Sequence, residues 1–369
     1  MICLLFKQIA LIFGVNEPTI SKLIGGKKAV DARTALMLGE IFDVPAERFL
    51  ALQKSLELAQ AQLVTRPDPG RSRRAHIYGG LPIADMIRRG WIDARDVRDT
   101  KNVERALVNF FGAKTLDEIE ILPHAAKRTK VAVEATPVQL AWLYRVKQIA
   151  DGMLTPPYSP DAARDAVSKL KPLLVAAQEA RKVPRILAEA GTRFVMVESL
   201  PGAKIDGVCF WLDDKEAPVI GMTCRFDRID NFWFVLRHEI EHVLRLHGRA
   251  TDAAMLDAEL EGERAGTGEN VSDEERVANE AAVEFCVPQG KMNRFVALKA
   301  PFFYERDMLG FANTLGVHPG LVAGQLQHRT GKYDRFRDHL VKIRSIVAPG
   351  AIVDGWGDVA PVDLEEVGT

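Results

Sequence analysis

The chain has few cysteines, almost no net charge and no long apolar run, and each shortage removes a class of protein. Cys3, Cys209, Cys224 and Cys286 are its four cysteines, scattered through 369 residues. Neither a disulfide scaffold nor a paired-cysteine metal site fits that spacing, so reduced packing thiols in a cytoplasmic protein are expected. A formal net charge of −1 gives no global attraction to nucleic acid, so any DNA contact is expected to be local, near the basic residues of 22–33 and 71–74. No run of about 18 apolar residues occurs, which predicts no membrane span. The apolar start, Met1–Phe13, is broken by Lys7 and Gln8 and lacks a basic leader and a small-residue cleavage site, so it is not read as an export signal. What remains, 47% apolar and 27% charged, is ordinary globular composition on a chain long enough for two or three cores.

Histidine is scarce too, yet two of the eight fall in His238-Glu239-Ile240-Glu241-His242. Residues four apart share a helix face, so both imidazoles can aim at one metal with Glu239 beside them. This is H-E-x-x-H spacing, which places two zinc ligands and a general base on one turn. Phe234, Leu236, Ile240, Val243, Leu244 and Leu246 predict that the helix is largely buried, with Gly248 as its stop.

A catalytic zinc takes three protein ligands and keeps one position open. His247 does not fit the longer H-E-x-x-H-x-x-G-x-x-H pattern, because Arg245 and Gly248 stand where glycine and histidine are needed. The segment Ser272–Pro288 offers a second helix, with Ser272 as N-cap, an apolar stripe of Ala278, Ala281, Ala282 and Phe285, and Pro288 at its end. Glu275 is the expected third ligand, with Glu274 and Glu280 as alternatives and a capping box with Ser272 as its competing role. Asn279, four residues on, is placed to hold a ligand from behind.

Residues 218–242, then Glu275-x-x-Ala278-Asn279 and a helix ending at Pro288, resemble the ImmA/IrrE family of zinc metallopeptidases over roughly residues 185–345. The resemblance implies a gluzincin-like fold with zinc on His238, His242 and Glu275 and with Glu239 as base. Many members carry Phe where this chain has Ala281, which puts the packing behind the ligand helix in question. The expected reaction is peptide-bond hydrolysis. His328 and Tyr333 lie in the region that could supply an oxyanion donor, though each also reads as an ordinary surface residue.

The amino terminus carries a separate signal. Phe6–Gly25 reads as a helix, a tight turn at Gly14, an N-cap at Asn16 and a second short helix. Ala10, Val15 and Ile20 are expected to close a small core, leaving Thr19, Ser21 and Lys22 outward for a DNA groove and Lys27, Lys28 and Arg33 for phosphates. The pattern resembles the Cro/repressor-type (XRE) helix-turn-helix family, and its continuation over Val30–Gln53 is similar to the HigA-type antitoxin branch. Such domains begin with an earlier helix, for which only Met1–Leu5 is at hand.

The expected fold is α+β and mostly helical. Residues 1–64 form a helix-turn-helix domain, 65–74 a Pro- and Gly-containing linker, and 75–184 a helical region with helices near 102–111 and 161–170. Residues 185–345 form the metallopeptidase domain, and 346–369 a tail. Arg193–Val197, Gly207–Leu212 and Pro218–Met222 predict a small sheet whose edge could take an extended substrate. Ala312–Val322 repeats the spacing of Ala10–Ile20 and is expected to pack.

Two functions follow as expectations. One is a DNA-binding regulator whose zinc endopeptidase cleaves a repressor or antitoxin. The other is an antitoxin or repressor that binds operator DNA and a cognate toxin without proteolysis. A homodimer suits either.

Overall fold

The computed structural model describes residues 6–65, 71–119, 135–212, 216–249, 255–258 and 273–348. The chain is mostly helical with a small mixed sheet, and it divides into two compact units, Met1–Arg74 and Ala75–Thr369.

The first unit begins with α1 (Phe6–Phe13), α2 (Glu17–Ile24), α3 (Ala32–Phe42) and α4 (Ala46–Val64). Gly14 turns the chain with φ +63°, a conformation that glycine adopts without strain. Asn16 caps α2, its Oδ1 accepting from the Thr19 backbone N–H at 3.1 Å and the Thr19 hydroxyl at 2.6 Å. Ala10, Phe13 and Ile20 form the core between these helices. Val15 does not join it and is 38% exposed. Its backbone N–H closes the α1 turn on the Ala10 carbonyl at 3.0 Å, which leaves the side chain outside while Phe13 takes the core place.

The segment expected to be a linker is partly helical, since α5 runs Arg71–Gly80; the residues 66–70 lie outside those described. Next come α6 (Ile83–Arg88), α7 (Thr100–Phe111), α8 (Pro137–Asp151), α9 (Pro160–Leu170) and α10 (Val183–Glu189). Ser159 caps α9 by accepting from Ala162. Among the described residues these helices share their core with the sheet and the helices after it, because buried side chains form one cluster from Leu81 to Ala348. Trp142 of α8 is fully buried against the sheet, its Nε1 donating to the Val197 carbonyl at 3.0 Å. The boundary expected near 184 is therefore not a boundary of the core.

The sheet has strands β1 (Arg193–Met196), β2 (Ile205–Leu212), β3 (Ala217–Met222) and β4 (Met255–Ala258), in the order β1-β3-β2-β4. β1 runs parallel to β3, and the other pairs are antiparallel. The sequence indicated three of these strands; β4 is too short, four residues of Met-Leu-Asp-Ala, to show an alternation.

Helix α11 (Ile229–Leu244) packs against β2, β3 and α9, against α12 (Asp273–Cys286) and against α15 (Pro319–Thr330). That surround buries thirteen of its sixteen residues, polar Asp230, Asn231 and Glu241 among them. It stops before the expected Gly248, because Leu246 already takes a left-handed φ of +59°. Helices α13 (Gln289–Lys299), α14 (Glu305–Leu315) and α16 (Arg344–Val347) complete the unit. Ala312, Val317, Leu321 and Val322 are buried in the main cluster, so the stretch resembling the amino terminus serves packing. Among the described residues, no helix is long and apolar enough to cross a membrane.

Candidate metal centre

His238 and His242 stand one turn apart on α11, both rings fully buried. Their Nε2 atoms are 3.0 Å apart. Glu275, in the first turn of α12, brings Oε2 to 3.2 Å from His238 Nε2 and Oε1 to 3.5 Å from His242 Nε2. These three residues are a cluster whose ligand atoms all lie within 4.8 Å of one another. Tetrahedral zinc with bonds of about 2.0–2.1 Å holds its ligand atoms about 3.3 Å apart, so the donor set fits that metal in kind and in spacing. The approach of α12 is made possible by Ala278 and Ala282, both fully buried, with no bulk between the helices. Ala281 is only partly buried and lies off that contact line.

The remaining acids of α12 point elsewhere. Glu280 pairs with Arg276 at 2.9 Å, and Glu274 is exposed. Ser272 lies outside the described residues, and the capping box with it.

The far nitrogens of both rings are held. His238 Nδ1 is 3.0 Å from Asn279 Oδ1; since an amide oxygen only accepts, His238 carries its proton on Nδ1 and its Nε2 lone pair faces the cluster. His242 Nδ1 is 2.8 Å from His247 Nδ1. Burial lowers the pKa of His247 below the usual imidazole value, which favours the neutral ring that accepts from His242. His247 stands outside the cluster and holds the His242 ring. No local pattern signals this role, because five residues along a continued helix would point it away. The helix ends instead, and the His247 N–H returns to the His242 carbonyl at 2.9 Å. Trp211 of β2 fixes the same turn, its Nε1 donating to the His247 carbonyl at 2.9 Å.

The two glutamates inside the motif are sorted by their surroundings. Burial pushes the Glu241 carboxyl up, but hydrogen bonds from Arg237 and Arg245 outweigh it and hold the group below the usual carboxylate range. Glu239 is fully buried against β2, where a Cβ on Gly207 would stand 2.0 Å from its Oε1. Only a strand residue without a side chain leaves room for that carboxylate. Glu275 retains 23% side-chain exposure while both imidazoles have none, so the cluster opens to solvent beside α12.

His328, at the end of α15, is exposed, and Tyr333 is partly buried beyond it. In the first unit Ser21, Lys22, Lys27, Lys28 and Arg33 are exposed, as a DNA-facing surface requires. Thr19 is half-buried, and its hydroxyl donates to Asn16 Oδ1 at 2.6 Å. No protein-family model, no curated protein and no solved structure matches the chain.

Proposed function

We propose that this protein is a DNA-binding regulator that carries a zinc-dependent endopeptidase of gluzincin-like architecture, cleaving a protein substrate such as a repressor or antitoxin. The observation that carries this reading is the convergence of His238, His242 and Glu275, with Asn279 and His247 behind the two rings. A two-histidine, one-carboxylate set leaves a fourth position open, which separates a catalytic site from a structural one.

His238, His242 and Glu275 would hold the zinc. Bound there, zinc lowers the pKa of water and polarises a peptide carbonyl. Glu239 takes a proton from the attacking water on its carboxylate and delivers it to the departing amine nitrogen. Its fully buried place against Gly207 keeps the carboxylate in one position. Asn279 and His247 keep the two Nε2 lone pairs aimed inward. An extended substrate pairing with the sheet on this side would lie along β4, because β4 covers β2. The amino-terminal part is a helix-turn-helix in which Ser21 and Lys22 face the DNA groove, while Lys27, Lys28 and Arg33 bind phosphates.

The test is cleavage of co-expressed repressor or antitoxin proteins by wild type and by Glu239→Gln. The wild type cuts, and the variant retains metal and fold without cutting. Equal cutting by both would contradict the role of Glu239. Operator or toxin binding with no cleavage by either would replace the peptidase with the pure binder.

A further inference from the structure

The connection from α13 to α14 is apolar and uncovered. Leu298 is 81% exposed, Phe302 70% and Tyr304 67%, with exposed Ala300 and Pro301 between them. Single exposed apolar residues are ordinary on a surface, but three large ones so close along one connection mark a contact surface. Its surroundings are positive. Arg294, Arg306 and Arg335 are exposed, and among the described residues none of them has a carboxylate partner. Arg294 donates to the Gly290 carbonyl and Arg335 to the Phe303 carbonyl, both backbone oxygens. The acids close by are occupied, Glu305 by His339 at 2.7 Å and Asp307 by Lys299 at 3.0 Å. The complement of this surface is therefore acidic, apolar and without cations of its own.

Residues 349–369 have that composition. They hold Asp354, Asp358, Asp363, Glu365 and Glu366, no lysine or arginine, and an apolar share that includes Trp356 and Leu364. They are also within reach. His339 meets Glu305 at the start of α14, and Ala348 follows nine residues later, so at most about 30 Å of backbone lies between them, while the segment itself extends to about 70 Å. Tethering then decides between this segment and outside partners. A segment of the same chain meets the patch at an effective concentration on the order of millimolar, which a separate nucleic acid, membrane or acidic protein has to exceed. We propose that residues 349–369 dock on Phe302 and Tyr304, with their carboxylates on Arg294, Arg306 and Arg335. An acidic partner gains this surface only by displacing them. The docking rests on neither the zinc nor the DNA reading.

Fluorescence of the full chain tests it. Subtracting the spectrum of Trp356→Phe from that of wild type isolates Trp356 from the other tryptophans. In wild type its emission is blue-shifted and shielded from acrylamide, and both properties persist on dilution, as a contact within one chain requires. Phe302→Ser with Tyr304→Ser, and separately Arg294→Glu with Arg306→Glu, move the emission to the red and open Trp356 to the quencher. Arg95→Glu with Arg98→Glu makes the same charge change at two other exposed arginines and leaves Trp356 as in wild type. Should the aromatic variant lose helical circular dichroism, the arginine variant, altered only at exposed positions, decides. Wild-type Trp356 as open to quencher as free tryptophan would overturn the proposal, and uptake of anionic vesicles or single-stranded DNA through Arg306 would then give the surface to those partners. Loss of shielding on dilution, or equal exposure of Trp356 in the patch and control variants, would overturn it as well.

Discussion

His247 reaches back across the end of its own helix to lie 2.8 Å, nitrogen to nitrogen, from His242. The contact depends on a left-handed turn at Leu246 and on the Trp211 indole, which holds the His247 carbonyl from β2. A strand and a turn thus set the direction of one imidazole, while Asn279 on α12 sets the other.

Replacing His247 with Ala leaves His238, His242 and Glu275 in place but frees the His242 ring. Loss of such a supporting hydrogen bond costs about ten- to a hundredfold in metal affinity. Chelator competition should show that drop for His247→Ala and a smaller one for Trp211→Phe. Unchanged affinity in both would mean that the turn plays no part in the centre.

Gly207→Ala places a methyl carbon where only 2.0 Å separates it from Glu239 Oε1. The carboxylate is the end of a flexible side chain, so it swings aside rather than breaking the strand. Cleavage is expected to fall by about a hundredfold or more, the range attributed to a positioned general base, with zinc content preserved. Full activity in this variant would show that the position of Glu239 against β2 is unimportant.

Much of this centre was legible because its parts are local. His238, Glu239 and His242 share one turn, and Glu275 and Asn279 share the next helix, so spacing alone places each pair on a face. Three strands and the helices near 102–111 and 161–170 were also visible, through apolar patterning and the Ser159 cap. The parts that were not visible depend on distant segments. Gly207 matters because of Glu239, and Trp211 because of His247, and no local pattern in β2 announces either. The single core joining α8 to the sheet was hidden for the same reason: Trp142 meets Val197 only in three dimensions. Val15 was misplaced because the turn after Gly14 rotates it outward.

Cys209, Cys224 and Cys286 are buried thiols outside any disulfide. Burial pushes the Cys224 thiol from an ordinary 9.0 up to about 12, so it stays protonated and covered. Native protein should resist alkylation at all three positions in mildly alkaline buffer and react after unfolding. A raised folded value means that the unfolded chain ionises first, so the contribution of Cys224 to stability is complete below about pH 9 and declines as pH rises toward 12. Rapid native labelling of Cys224 would contradict its burial.

On the DNA side, Lys27→Ala with Lys28→Ala should weaken operator and non-specific binding alike, and should lower the salt slope by about two, one for each phosphate no longer neutralised. Ser21→Ala with Lys22→Ala should reduce preference among sequences. Gel-shift titrations at several salt concentrations separate the two effects. Identical salt slopes in wild type and the Lys27/Lys28 variant would remove these lysines from the DNA surface.

The most direct measurement is zinc content per chain, read by atomic emission on wild type, Glu239→Gln, His238→Ala and Glu275→Ala. The geometry of the His238–His242–Glu275 cluster predicts about one zinc in the first two proteins and strongly reduced metal in the last two, with all four folded by circular dichroism. Metal-free wild type, or full zinc in Glu275→Ala, would contradict a zinc centre built on these three side chains.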